Sequence, residues 1–168
     1  GLGDVYKRQF YTRLLASDEL NTDATQHIRL FISGSAPLLS ETHIEFERRT
    51  GKKILERYGM TETNMNTSNP YDGERKAGTV GIPLPGVEIR VVNEEGHLVE
   101  HGKIGTIELK GENVFSGYWE MKEKTKEAFK KDGFFITGDL AQMDEDGYLI
   151  IVGRDKDMIC LLYTCPSP

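Results

Sequence analysis

Cysteine is nearly absent from this chain. The two present, Cys160 and Cys165, both fall in the final stretch of a 168-residue sequence. A disulfide between them would close a very small loop and constrain little. Neither a histidine nor a second cysteine pair accompanies them to suggest a metal or redox site. Long apolar runs are missing as well: no window approaches the roughly 18 residues of a membrane span, and no secretory leader pattern opens the chain. There is no excess of positive charge, since 27 acidic against 21 basic residues give a net charge of −6. That balance argues against bulk nucleic-acid binding. It leaves room for a nucleotide site, which needs only local dipoles and one or two cations. Internal repeats and low-complexity tracts are absent. Hydrophobic residues reach only 38%, and the 18 glycines point to many turns and a β-rich segment. The length suits one compact domain or a piece of a larger one.

The two ends read differently from the middle. "DVYKRQ" (Asp4 to Gln9) is what the nucleotide string GATGTGTATAAGAGACAG encodes, and that string resembles a sequencing-library adapter. "CLLYTCPSP" (Cys160 to Pro168) differs from a translation of its continued reverse complement only at Cys165, where the adapter gives Ser. Residues 1–9 and 160–168 are therefore read as adapter read-through and set aside. The remainder has no cysteine, as expected of a cytoplasmic protein.

What is present is a change of character along the chain. "FYTRLLASDELNT" (Phe10 to Thr22) spaces its apolar residues as one or two short amphipathic helices. "IRLFISG" (Ile28 to Gly34) predicts a buried, parallel strand. "SETHIEFERRTG" (Ser40 to Gly51) predicts a helix with a Ser cap, early acids, late arginines and a Gly stop. "KKILERYG" predicts a second strand, which completes a βαβ unit. The polar run "ERYGMTETNMNTSNP" (Glu56 to Pro70) reads as a loop leaving that strand. From Tyr71 onward short alternating runs take over: Val87 to Asn93, Gly105 to Gly111, Phe134 to Asp144 and Tyr148 to Arg154, with turn material between them. One helix, Met121 to Gly133 with Gly133 as its C-cap, interrupts. The fold class expected is α/β: a partial parallel α/β subdomain over 10–70, then a small antiparallel β-rich subdomain, a distorted barrel, over 71–154. Residues 155–159 begin a hinge.

In open α/β sheets ligands bind beyond the carboxyl ends of parallel strands. Two loops stand there. "SGSAPL" offers small residues and free backbone N–H groups to a flat ring or an anion, though a plain βα turn has the same composition. "YGMTET" orders a ring (Tyr58), a turn (Gly59), a hydroxyl (Thr61) and a carboxylate (Glu62). That order suits a nucleotide with Mg²⁺, which takes one or two carboxylates beside phosphate oxygens. A turn capped by Thr61 and entering a helix is the alternative. Asp139, after Gly138 at a strand end, could accept both hydroxyls of a ribose or be an ordinary turn residue. Arg154 and Lys156 form a basic run behind a glycine.

Taken together, "RLFISGSAPL", "ERYGMTETNMN", "TVGIPLPGVEIRVV", "NVFSGYWEMKEKT", "DGFFITGDL" and "VGRDKDMI" resemble the acyl-adenylate-forming ligases, which include acyl-CoA synthetases, luciferases and adenylation domains. The resemblance runs over nearly all of Phe10 to Ile159, and within the family it is strongest to malonyl-CoA synthetases. It implies a carboxylate attacking the α-phosphate of Mg·ATP to give acyl-AMP, then coenzyme A displacing AMP. It also implies roles. Gly34, Ser35, Ala36 and Pro37 border the adenine and acyl pocket. Tyr58 flanks the adenine, with Gly59 packed beside it. Thr61 contacts phosphate, and Glu62 binds magnesium. Asp139 holds the ribose, and Arg154 the ribose–phosphate part. Lys156 is the hinge, and Met60 shortens the acyl pocket for a small dicarboxylate.

The family's upstream phosphate loop and its C-terminal lysine domain have no counterpart here. The chain is therefore expected to be the later part of a large domain, inactive alone and left with exposed apolar edges that favour aggregation. Two other readings stay open: an adenylation domain serving a carrier protein, and a non-catalytic AMP-binding module. No nucleic-acid partner and no membrane span are expected.

Overall fold

A computed structural model describes residues 10–34 and 38–155. Ser35, Ala36, Pro37 and Lys156 lie outside the described residues, as do both ends read as adapter sequence. The chain forms two four-stranded sheets, each with its strands in sequence order. In the first, β1 (Phe31–Ser33) pairs in parallel with β2 (Ile54–Met60), which pairs antiparallel with β3 (Asn64–Ser68) and through it with β4 (Ile82–Pro83). The second, an antiparallel meander, runs through β5 (Val87–Val92), β6 (Gly105–Gly111), β7 (Phe135–Met143) and β8 (Leu149–Arg154). The mixed α/β class expected from the sequence is the one found. The distorted barrel is not: β5 and β8 do not pair, so the second sheet stays open.

Three helices lie beside the first sheet. Residues 10–15 form α1, Thr22–Thr25 form α2, and Ser40–Thr50 form α3. The buried face of α3 places Phe46 in a core with Tyr11, Leu20, Leu38 and Ile54. Tyr11 and Phe31 meet the Phe46 ring edge-on, at 5.3 and 4.8 Å between centroids. Arg49 fastens the N-terminal segment to α3 by donating to the carbonyls of Leu15, Ser17 and Leu20. The helix ends where Gly51 takes the left-handed conformation and its N–H bonds to the Glu47 carbonyl. Its start differs from expectation. The N-cap is Leu39, with no side-chain cap, and Ser40 is already helical. The strand expected over Ile28–Gly34 shortens to β1, which is not fully buried; Ile32 is 43% exposed.

Tyr11 gives this core a pH signature. Its hydroxyl donates to the Ile32 carbonyl at 2.7 Å. Burial, and then the charge of Glu56, push its phenol up to about 12 from an ordinary 10.0. A raised phenol favours the folded state fully below the unfolded value and loses that advantage as pH climbs toward the folded one. Stability should therefore decline between pH 10 and 12. Tyr11→Phe should be about 1 kcal/mol less stable at pH 8 for want of the hydrogen bond, with a shallower alkaline decline. Urea midpoints across pH check both.

The largest departure from the sequence reading is at Glu56–Pro70. It is a β-hairpin, β2 and β3, rather than a loop. Several of its polar residues are buried, and Thr67 and Asn69 find partners in an adjacent segment. Thr67 donates to the Val80 carbonyl at 2.7 Å, while Asn69 donates to Thr79 and Glu56 carbonyls and accepts from the Lys76 N–H. The pairing shifts register between Tyr58 and Gly59, so that Asn66 is the extra residue of a bulge on β3. The two sheets are joined where the Val80 N–H donates to the Leu149 carbonyl and the Leu149 N–H donates to the Gly81 carbonyl. Val80, Val91, Ile107, Leu109, Ala141 and Leu149 form the second core.

The remaining helix, α4, spans only Lys122–Ala128 and caps at Phe129. It stops short of Gly133 because Phe129 turns inward against Phe115 and Phe135 and bridges to the latter in extended form. Gly133 instead closes the turn into β7, its N–H bonding to the Lys130 carbonyl. Among the described residues no helix is long and apolar enough to cross a membrane.

Candidate functional site

A cleft of about 770 Å³ opens between the two sheets, within the ~300–1,000 Å³ range of small-molecule sites. Its walls come from three places: the β2–β3 hairpin (Gly59, Met60, Thr61, Glu62, Asn64, Met65), the middle of β7 (Thr137, Gly138, Asp139) and the end of β8 (Arg154, Asp155).

Asp139 reaches the cleft through an irregularity in β7. Thr106 pairs with Leu140 and Glu108 with Ile136, so residues 137–139 stand opposite Ile107 alone. Bulges re-aim side chains. Thr137 fixes this one by donating to the Ile107 carbonyl at 2.9 Å and accepting the Asp139 N–H at 3.0 Å. Asp139 thus sits inside a continuous strand, rather than at a strand end as the sequence suggested. Its carboxylate is 8% exposed as a residue and already engaged. The Tyr58 hydroxyl donates to Oδ2 at 2.6 Å, and Arg154 Nε stands 3.4 Å from Oδ1. Arg154 is the looser partner, with 71% of its side chain exposed.

Tyr58 lies where β2 meets the second sheet. Its ring packs against the second core, and among its atoms the hydroxyl is what reaches Asp139. Burial, followed by the charge and hydrogen bond of Asp139, raises its phenol far above the ordinary value. Gly59 does not supply a turn, as the sequence reading had it. A Cβ there would lie 2.0 Å from the Asn64 carbonyl oxygen, so the residue is needed for close strand approach. The reversal itself comes at residues 60–63, where the Thr63 N–H bonds to the Met60 carbonyl. This places Thr61 exposed on the cleft wall and Glu62 half-buried beside it. Gly34 ends up elsewhere, next to the Arg57 side chain and outside the cleft walls.

Glu62 has a partner that the sequence did not announce. The Tyr118 hydroxyl donates to Glu62 Oε1 at 3.1 Å. Partial burial, then the hydrogen bond and charge of Glu62, lift the Tyr118 phenol above its usual value. The same β6–α4 loop holds the hairpin turn by its backbone: Phe115 N–H to the Glu62 carbonyl at 2.8 Å, and the Asn113 amide to the Thr63 carbonyl at 2.7 Å. "NVFSGYW" was visible as a motif, yet nothing local says that residue 118 meets residue 62. Among the described residues no three or more His, Cys, Asp or Glu gather as a metal cage. In the cleft wall Glu62 Oε2 has no partner among the described residues, and the exposed Asp155 lies at the end of β8 in the same lining.

Of the residues singled out by sequence, Gly59, Met60, Thr61, Glu62, Asp139 and Arg154 share one cleft, with Tyr58 bonded to it from behind. Similarity to known proteins is extensive over this span. The chain is 44% identical over 152 residues to a probable CoA ligase, CCL8, of Humulus lupulus, covering 86% of this chain and 25% of that protein. It is 44% identical over 154 residues to the malonate–CoA ligase of Arabidopsis thaliana, covering 87% of this chain and 25% of that protein. It superposes with a TM-score of 0.87 on the crystal structure of ATP-bound MatB from Rhodopseudomonas palustris, at 62% identity over 89% of this chain and 30% of that one. The chain spans about a quarter of the length of the curated relatives it matches. The family model described as AMP-binding enzyme matches residues 8–119, and the chain belongs to that family.

Proposed function

We propose that this chain is the nucleotide-handling part of an ATP-dependent carboxylate–CoA ligase of the cytoplasm, with malonate or a similar short dicarboxylate as the acid. In the parent reaction a carboxylate oxygen attacks the α-phosphorus of ATP and expels pyrophosphate. The coenzyme A thiol then attacks the acyl carbon, forming the thioester and releasing AMP. The observation that carries this reading is that Thr61, Glu62, Asp139 and Arg154 wall one cleft although two separate sheets contribute them. The likeness to a malonate–CoA ligase favours malonate.

Within the cleft Asp139 would accept the ribose hydroxyls, and Arg154 would turn toward the ribose–phosphate part. The Thr61 hydroxyl, which has no partner among the described residues, would donate to a phosphate oxygen. Met60 would shorten the acyl end. The lone carboxylate oxygen of Glu62 fits Mg²⁺, which takes one or two carboxylates and completes its shell with phosphate oxygens and water. When bound, that ion would offset charge on the phosphates. The loop of Ser35, Ala36 and Pro37, which Gly34 opens from outside the cleft walls, keeps its proposed place on the adenine side, and Lys156 its proposed role as hinge.

Calorimetric titration of AMP into the chain tests the reading. Wild type should bind, and Asp139→Ala should bind at least about tenfold more weakly, the loss expected for hydrogen bonds to a charged acceptor. AMP lacking both ribose hydroxyls should bind wild type and variant alike. Absence of AMP binding by wild type, or equal binding by Asp139→Ala, rejects it.

A further inference from the structure

The geometry points to Tyr118 as the positioning residue that presents Glu62 to the cleft, an inference that rests on the metal role proposed above for Glu62. Glu62 sits in a hairpin turn, where a side chain ordinarily samples several rotamers. Here Oε1 is taken by the Tyr118 hydroxyl, and the backbone carbonyl of the same residue accepts the Phe115 N–H. The carboxylate is thereby held at one oxygen, leaving Oε2 as its available ligand atom. Tyr118 is in turn fixed from three sides. Its N–H donates to Thr125 Oγ1 at 2.9 Å, Phe115 meets its ring edge-on at 4.8 Å, and Lys124 Nζ lies 4.4 Å from the ring centroid. Gly117 admits this arrangement. Its φ is +146°, and a Cβ there would come within 2.6 Å of Thr125 Cγ2. A rigid donor on a carboxylate ligand is the arrangement by which outer partners orient metal ligands, and losing such a partner typically costs ~10–100-fold in metal affinity.

The probe is Mn²⁺ in place of Mg²⁺, followed by paramagnetic resonance of the free ion in the presence of ATP, with and without the chain. Wild type should retain Mn²⁺ beyond what ATP alone holds, and Glu62→Gln should abolish that increment. Tyr118→Phe should weaken it about tenfold, with ATP affinity in chelator unchanged and the thermal midpoint close to wild type. Thr125→Val, which loosens Tyr118 without touching Glu62, should move retention in the same direction by a smaller factor. If Glu62→Gln loses the increment and Tyr118→Phe keeps it, the positioning role is overturned while the proposed function stands. A Tyr118→Phe variant that loses metal-free ATP binding equally overturns it too, since the residue would then act on the fold alone. If wild type itself retains no extra Mn²⁺, the metal role fails and this inference fails with it.

Discussion

Gly59→Val is expected to abolish the β2–β3 hairpin. A Cβ at this position meets the Asn64 carbonyl oxygen at 2.0 Å and the Met65 methyl at 2.7 Å, so backbone has to move before any side chain can be seated. Overpacking against flexible side chains costs ~1–3 kcal/mol. Against a paired strand the expected loss is about 4 kcal/mol or more, in the range kept for a few mechanisms. Because Gly59, Met60, Thr61 and Glu62 all wall the cleft, AMP binding should disappear with the hairpin. Gly153→Ala supplies the control, since its Cβ would meet nothing within 4 Å and its backbone is not left-handed. Urea denaturation of the two variants, side by side, should give a large loss for the first and a near-neutral result for the second.

The second large effect is expected at His43. It is 1% exposed, on the inner face of α3, and its Nδ1 lies 2.9 Å from Glu56 Oε1 in β2. No other side chain hydrogen-bonds the Glu56 carboxylate among the described residues. His43→Leu would leave that carboxyl group buried and unpaired, at a cost of about 3 kcal/mol. The pair itself should be worth much less. Replacing both by His43→Leu and Glu56→Met should recover most of the loss, because buried polar pairs often do no better than apolar groups of similar size. His43 Nε2 is itself buried with no partner among the described residues, which adds to that expectation. A double-mutant cycle measured by urea unfolding decides it. If His43→Leu and the double variant lose equal stability, packing around α3 rather than the stranded carboxyl group is responsible.

The parts of the fold that were legible in the sequence are those with a periodic apolar signal. β6 was read with its observed limits, and β5, β7, β8 and α3 within about a residue at either end, because alternation and helical spacing survive without knowledge of neighbours. The hairpin was misread for a physical reason. Its inner face is threonine and asparagine, and Thr67 and Asn69 find hydrogen bonds on Val80, Thr79 and Lys76, beyond the hairpin. Composition cannot report a partner that folding has yet to bring. The same holds for α4, where Phe129 leaves a helix-favouring run to join Phe115 and Phe135. At the site, Thr61, Glu62 and Asp139 stood out by residue type and order. Tyr118 did not, since its meaning depends on a contact 56 positions away. Tyr58 was noticed for its ring, whereas the structure puts its hydroxyl to use.

The engaged carboxylate of Asp139 has a thermodynamic consequence. Each oxygen already has one partner, so a diol that docks on it shares the remaining lone pairs with a guanidinium and a phenol or displaces one of them. The contact with Arg154, long and solvent-washed, is the cheaper of the two to surrender. Where that contact gives way, ligand affinity is a difference between two sets of bonds, and the displaced Arg154 becomes a mobile cation at the mouth of the cleft, free to follow whatever negative charge the newcomer carries.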